Sequence, residues 1–562
     1  MSKVQQPIPG VVYPPESRTQ RYVDAGILRD VTLVSAFAGI VAAHPDRVAV
    51  SDVRGTLTYA VLDDVTDRLA GAFLTIGLKP LDRVVFQLNN SRELVIAYLA
   101  CLKAGLIPMA TLAAHRRHEI GYLARHASAR AHIVDGDSSK FDFVAFAKAM
   151  RDEIDSLREI IVVRGGNDDP AVRSFEALSA LVSRDEARAL IAAVPRDPWQ
   201  VCIFQLSGGT TGIPKIIPRF HNEYIQQIRS VIAWQGLDHT LVSYTPNPLL
   251  HNAPMICYWG PALFGGGEMV IGEDMEPATI RRILKERKVN WVCIPPVILM
   301  RLKAAGVLDE LDFSHVKGFT VPGGAKRIED ATRGAPVFPL FGMTEGIICY
   351  CRKGDGREAI ETTCGRPTSP FDEMRILIPG TETDCPPGET GELAVRGPSS
   401  ILGYFDAEER NKEAFTADGF YRSGDLCNIK MIGGEPHIVF QGRLKDVVNR
   451  GGEKINCLEV ELIAVGHPKV ASISIIPVPD PGYGERACAF VIPAPGVTDL
   501  SPKELGVFLE ERGLAKFKWP EFVELISEFP VTSAGKISKP RLREIALERA
   551  KARGQHATEG VS

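Results

Sequence analysis

Between Ser207 and Lys215 the chain reads SGGTTGIPK, directly after the apolar run Val201–Leu206. That run reads as a buried strand, so the loop leaves the end of a sheet. Gly208, Gly209 and Gly212 alternate with Ser207, Thr210 and Thr211. Without a Cβ, the glycines let backbone N–H groups close around an anion, and the hydroxyls add further donors. Lys215 supplies positive charge at the far edge. Gly/Ser/Thr runs are more often surface linkers. A linker, however, rarely follows a buried strand and ends in Pro-Lys. The loop is not a Walker sequence, because Gly212 is followed by Ile213 and Pro214 where Lys and Ser/Thr are required. A P-loop ATPase or kinase is therefore the weaker nucleotide reading.

The 562 residues are too many for one ordinary domain, and 45% hydrophobic content is ample for a large core. With 65 basic and 69 acidic residues the formal net charge is −4. That balance speaks against a nucleic-acid partner, whose footprint is a basic excess. The start of the chain has no basic, then apolar, secretory pattern, and no run reaches about 18 uninterrupted apolar residues, so no membrane span is expected. The eleven cysteines are scattered, and the Cys349–Cys351 pair has no second cluster to complete a zinc site. They read as buried thiols of a cytoplasmic protein. Oligomeric state is not legible.

Strand-like and helix-like stretches alternate: strands at Arg83–Leu88, Val201–Leu206 and Trp291–Ile294, helices from Ser91 to about Ala104, at His221–Gln235 and at Ala278–Arg287. This is the signature of α/β layers with mostly parallel sheets. Past about residue 441 the texture changes. Strand-like runs Ser472–Pro477 and Ala487–Ile492, a helix Pro502–Glu511 and a basic helix Lys539–Ala552 read as a small α+β domain. The expected division is 1–442 and 443–562, with a β-rich part near 370–440. The terminal GQHATEGVS reads as disordered.

Further motifs follow the glycine-rich loop in order: FGMTEG (Phe341–Gly346), YRSGDL (Tyr421–Leu426), GRLKDVVNRGGEKI (Gly442–Ile455) and PVTSAGKISK (Pro530–Lys539). Together with SGGTTGIPK they resemble the signatures of the adenylate-forming superfamily, which includes acyl-CoA synthetases, luciferases and peptide-synthetase adenylation domains. The resemblance implies ATP-dependent activation of a carboxylic acid to an acyl-adenylate, release of pyrophosphate, and transfer to a thiol. It also implies a large N-terminal domain of layered sheets with a small, mobile C-terminal domain.

By the same resemblance, Ser207, Gly208, Gly209, Thr210, Thr211, Gly212 and Lys215 would hold phosphates. Phe341, Gly342, Met343 and Thr344 would line the nucleotide, and Glu345 would contact Mg²⁺. Gly323, Gly324 and Ala325 form narrow backbone on which a flat ring could lie. Asp425 would accept the ribose hydroxyls, a task suited to a two-oxygen carboxylate, and Arg443 would add a phosphate or ribose contact. Lys536 would be the principal adenylation lysine. A lone loop lysine is ordinarily a solvated one, and it gains meaning here from its motif. Lys445 would be the hinge, and Gly451 and Gly452 would line a pantetheine tunnel after rotation of the small domain.

His251-Asn252, the pattern Phe341–Arg352 and NRGGEK (Asn449–Lys454) are similar to stand-alone aryl-acid–AMP ligases of siderophore pathways, the 2,3-dihydroxybenzoate and salicylate type. This likeness puts His251 at the mouth of the acid pocket and Asn252 on the ortho-hydroxyl and carboxylate. Ala253, Cys257, Gly324, Leu340 and Ile348 would make the remaining wall. Ala253 stands where that subgroup has an aromatic, Thr344 where it has alanine, and Cys257 where dihydroxybenzoate enzymes have serine. An apolar wall with a poor acceptor at Cys257 favours salicylate or benzoate over a catechol. The acceptor is either an aryl carrier protein's phosphopantetheine or coenzyme A, and no carrier domain is visible. A silent binding protein of the same fold would have lost Lys536, Glu345 or Asp425, and all are present.

Overall fold

The computed structural model describes residues 3–559 except 166–168, 208–213, 295, 322–324, 452 and 533–535. The glycines of the phosphate loop, together with Thr210 and Thr211, Gly323, Gly324 and Gly452, lie outside the described residues.

Two large sheets dominate the first unit, which comprises residues 1–374, 395–421 and 432–437. In one, Val337–Gly342, Gly318–Val321, Trp291–Val292, Val242–Tyr244, Glu268–Val270 and Val48–Asp52 run parallel in that order. Antiparallel strands extend both edges: Ile348–Tyr350 and Arg366–Pro367 at one, Gly55–Thr58 at the other. In the second sheet Arg173–Ser174, Glu159–Val163, Ala131–Asp135, Arg83–Gln87, Ile107–Met109 and Val201–Ser207 are parallel, and Lys215–Phe220 closes the edge antiparallel. Strands buried on both faces read as unbroken apolar runs, as the sequence has them.

Local chemistry sets the connections. Ser91 caps the helix Arg92–Lys103 by accepting from Leu94 N at 3.2 Å, and Gly105, at φ +71°, ends the segment. The strand expected at Trp291–Ile294 is assigned only over Trp291–Val292. The prolines at 295 and 296 carry no N–H with which to continue a ladder. One apolar core joins the sheets, holding Val50, Met269 and Trp291 from the first and Val84, Phe86 and Ile203 from the second. It also takes in Tyr224, Ile225 and Ile228 of the helix His221–Gln235.

The second unit comprises residues 375–394, 422–431 and 438–562. A four-stranded sheet runs in the order Glu373–Leu377, Gly391–Arg396, Tyr421–Ile432 and Glu435–Arg443. A further sheet is built around the long hairpin Val470–Asp480 and Gly484–Pro493. Val447–Arg450, Glu453–Asn456 and the parallel strand Phe522–Leu525 complete it. Residues alternate between its faces. Ala487, Ala489 and Val491 meet Val460 and Leu505 of two helices, whereas Cys488 and Phe490 meet Leu542 and Ala546 of the last helix. That helix runs from Lys539 to Glu559, beyond the expected Ala552 and through most of the tail expected to be disordered. Ala, Glu, Lys, Arg and Gln outweigh the single Gly554 in helix preference.

Gly260 shows how tightly the first unit is built. A Cβ there would fall 1.8 Å from the Met255 carbonyl oxygen. Gly260→Ala is expected to lower stability by about 2–3 kcal/mol in urea denaturation. Gly39, exposed in the helix Leu33–Ala43 with no atom within 4 Å of its Cβ position, gives the opposite sign. Gly39→Ala should add about 0.5–1 kcal/mol.

Candidate active site

Ser207 and Lys215 face each other as the last pair of an antiparallel ladder, so both ends of the phosphate loop are fixed in the sheet. Six residues past Ser207's partner, the helix His221–Gln235 begins. Its buried face, with Arg219 on the preceding strand, holds much of the rest of the site in place.

Arg219 is completely buried. Its guanidinium donates to both Glu223 oxygens, at 2.7 and 3.1 Å, and to Gln227 Oε1 at 3.3 Å. It also donates to the carbonyls of Thr344 and, at 3.2 Å, Ser399. Burial opposes both charges of the ion pair, and Glu223 holds the Arg219 pKa above its ordinary value. Gln227 turns its amide N–H to the Gly346 carbonyl at 2.7 Å, and Ile401 N donates to the Glu345 carbonyl at 2.8 Å. Three successive carbonyls, of Thr344, Glu345 and Gly346, are therefore tied down. This fixes the turn that follows Phe341, Gly342 and Met343. Glu345 is buried, and its Oε1 accepts from the Tyr404 hydroxyl at 3.0 Å. A lone carboxylate with hard oxygens suits a divalent cation that takes its other ligands from phosphates. Among the described residues no cluster of three or more His, Cys, Asp or Glu offers a complete metal cage.

The same helix also orients Asn252. His251 precedes the short helix Asn252–Cys257. Asn252 is 5% exposed, and its Oδ1 accepts from the Tyr224 hydroxyl at 2.9 Å. Tyr224 in turn accepts from Gln205 Nε2 at 3.0 Å, so its one proton is committed to Asn252. With Oδ1 so engaged, the amide N–H₂ is the part of the Asn252 side chain that remains a donor. Leu340 and Ile348 lie on one face of a hairpin, in register as Leu340 opposite Tyr350 and Gly342 opposite Ile348. Both share an apolar cluster with Cys257. Burial pushes the Cys257 thiol pKa up, so it stays protonated. Ala253 is exposed and takes no part in that buried wall. Ala325, buried, opens the helix Ala325–Ala331.

In the second unit, Asp425 lies buried on the strand Tyr421–Ile432 and forms an ion pair with Arg443 Nε at 3.3 Å. Lys536 sits on a loop whose ends pair as Val531 with Ile537, with Thr532 N donating to the Lys536 carbonyl at 2.7 Å. The residue is exposed, yet enclosure of its ammonium and the charge of Arg443 lower its pKa, with Asp425 opposing. Asp425, Arg443 and Lys536 thus share one electrostatic neighbourhood. Lys445 lies in the short turn Leu444–Asp446, whose Asp446 pairs with Arg543 at 3.1 Å. Gly451, at φ +59°, turns the hairpin of Val447–Arg450 and Glu453–Asn456, and its N–H donates to the Tyr483 carbonyl at 2.7 Å.

Arg219, Tyr224, Gln227 and Tyr404 escaped the sequence reading. A charged residue in the apolar strand KIIPRF, with Glu223 four residues on, was the available signal for the first. Arg219→Met should cost about 3–5 kcal/mol in urea denaturation, because Glu223 is left buried and unpaired. Adding Glu223→Gln should recover part of that loss.

Residues 37–405 match the AMP-binding enzyme family, and residues 459–536 match the AMP-binding enzyme C-terminal domain. The chain is 36% identical over 548 residues to a 2,3-dihydroxybenzoate-AMP ligase of Bacillus subtilis, covering 95% of this chain and 97% of that one. It is 34% identical over 544 residues to a salicyl-AMP ligase / salicyl-S-ArCP synthetase of Mycobacterium tuberculosis, covering 94% and 93%. The apo structure of Mycobacterium smegmatis MbtA superposes with a TM-score of 0.69 at 32% identity, covering 95% and 98%. The chain belongs to the AMP-binding, adenylate-forming enzyme family, as an ATP-using ligase of the aryl-acid–AMP ligase type.

Proposed function

We propose that the acid is a hydroxybenzoate of the salicylate class, activated to its acyl-adenylate and passed to the phosphopantetheine thiol of an aryl carrier protein. The observation that supports this is the Gln205–Tyr224–Asn252 relay, which engages the Asn252 carbonyl oxygen and keeps its amide N–H₂ as a donor, together with the apolar cluster that holds Cys257, Leu340 and Ile348. An amide donor meets an ortho-hydroxyl and a carboxylate together, and an apolar wall with a protonated thiol suits a ring without a second hydroxyl. The curated relatives act on aromatic acids by name, and the carrier acceptor is in keeping with the second of them. Coenzyme A as acceptor is the alternative, and the residues do not separate the two.

In the first step a carboxylate oxygen attacks the α-phosphorus and pyrophosphate leaves. In the second, the thiol attacks the acyl carbonyl and AMP leaves. The residues' work is positioning and charge compensation. The phosphate loop and Lys215 hold the triphosphate, Thr344 donates to the α-phosphate, and Asp425 takes the ribose hydroxyls with Arg443 beside it. Glu345 would hold Mg²⁺, which supplies charge neutralisation on the phosphate oxygens when bound. Lys536 compensates the charge where acid and phosphate oxygens meet. Burial and the charge of Arg443 lower its pKa, and an anionic ligand beside it would act in the opposite direction. Lys445 serves as hinge and Gly451 and Gly452 as the thiol path in the second step. The cytoplasmic placement rests on the eleven cysteines, all thiols in this structure. Among the described residues no helix is long and apolar enough to cross a membrane.

Asn252→Ala should lower kcat/KM of pyrophosphate exchange with salicylate by about 10- to 100-fold, the loss of hydrogen bonds to a charged ligand, and hit benzoate far less. Equal losses for the two acids would remove the hydrogen bond to the ortho-hydroxyl. Lys536→Ala should reduce adenylation by about 100-fold or more while thioester formation from supplied acyl-adenylate stays within a few-fold. Equal loss of both half-reactions would contradict its assigned role.

A further inference from the structure

The Tyr404 hydroxyl, deep in the first unit, meets three polar atoms: Glu345 Oε1 at 3.0 Å, the Tyr421 hydroxyl at 2.9 Å and Lys215 Nζ at 3.3 Å. A phenol has one proton to give and two lone pairs to accept with. A carboxylate only accepts and an ammonium only donates. The Tyr404 proton therefore goes to Glu345, while Lys215 and Tyr421 donate inward. Every hydrogen-bonding position of the hydroxyl is filled, each in one direction. Lys215 also stands over the Tyr404 ring, 4.4 Å from its centroid, where the ring face attracts a cation.

This hydroxyl lies at the meeting of the phosphate-loop lysine and the carboxylate suited to the metal. The Glu345 main chain is already held through the carbonyls on either side of it and its own. Its side chain is aimed by Tyr404. Resting on the adenylation reading above, we propose that Tyr404 is a positioning residue of the cation–triphosphate site. Its hydroxyl aims the Glu345 carboxylate and keeps the Lys215 ammonium one hydroxyl away from it. The carboxylate is thereby set for the cation and the ammonium for the phosphates. Tyr404 itself need touch neither reacting atom.

Tyr404→Phe removes one oxygen and leaves the ring, so the packing and the face beneath Lys215 remain. Binding of ATP is measured by isothermal calorimetry with Mg²⁺ and, separately, with EDTA, and the Mg²⁺ dependence of pyrophosphate exchange is measured alongside. The variant should bind ATP about tenfold more weakly with Mg²⁺, and less than about threefold more weakly with EDTA, as expected for loss of one hydrogen bond to a charged group. The Mg²⁺ concentration for half-maximal exchange should rise about tenfold while the KM for the acid stays within about twofold. Tyr421→Phe removes the outer donor but leaves the bond to Glu345, and should change Mg²⁺-dependent binding by at most about threefold. Unchanged Mg²⁺-dependent binding in Tyr404→Phe, equal weakening with and without Mg²⁺, or equal effects of the two variants would overturn the assignment. If the unaltered protein shows no acid-dependent exchange, the adenylation reading fails and takes this one with it. If it exchanges and Tyr404→Phe matches it throughout, this inference alone fails.

Discussion

A buried ion pair, Arg219 with Glu223, is the interaction on which the site depends. Two charges removed from water are costly, and they stay charged only because each supplies the other's counterion and the remaining donors reach carbonyl oxygens. Here those carbonyls belong to Thr344 and Ser399, far along the chain from Arg219. Desolvation thus turns what would be a liability into a geometric constraint, because the turn bearing Thr344 and Glu345 cannot shift without leaving the guanidinium unsatisfied. The pair also sits one residue from Tyr224, so the helix that fixes the cation side fixes Asn252 as well. One helix face, carrying Glu223, Tyr224 and Gln227, ties the turn at Thr344–Gly346 and Asn252 to the same element.

That arrangement shows how side chains outside the long elements can be placed from elsewhere. Glu345 and Asn252 lie just beyond or at the start of regular elements, where backbone is free to present them. Asn252 is oriented by Tyr224 on a helix, and the backbone next to Glu345 is held by Arg219 on a strand. The phenol of Tyr224 accepts from Gln205 on a lone pair and gives its one proton to Asn252. A loop residue thereby gains the precision of a helix residue.

Much of this was legible in the sequence, and for a physical reason. Glycine-rich turns, an N-cap serine before an apolar run and apolar strands of five residues are local signals. The helix His221–Gln235 and the cap at Ser91 stand where those signals place them. The site motifs could be read because their chemistry needs particular residue types in short order. Arg219, Tyr224, Gln227 and Tyr404 could not be read in this way. Their partners lie up to 189 residues away, as with Tyr404 and Lys215, and a tyrosine or glutamine in a buried segment looks like packing. The helical tail through Glu559 was missed because a few polar residues and one glycine resemble disorder when the preceding helix is ignored.

The account stands on an acid site built from one oriented amide and an apolar wall, and acid-dependent ATP–pyrophosphate exchange across a panel of acids tests that most directly. The panel holds salicylate, 2,3-dihydroxybenzoate, benzoate, cyclohexanecarboxylate and a medium-chain fatty acid. Strongest exchange with salicylate, ahead of the catechol and well ahead of the aliphatic acids, is the predicted result. Exchange confined to the aliphatic acids, or independent of any acid, would contradict it.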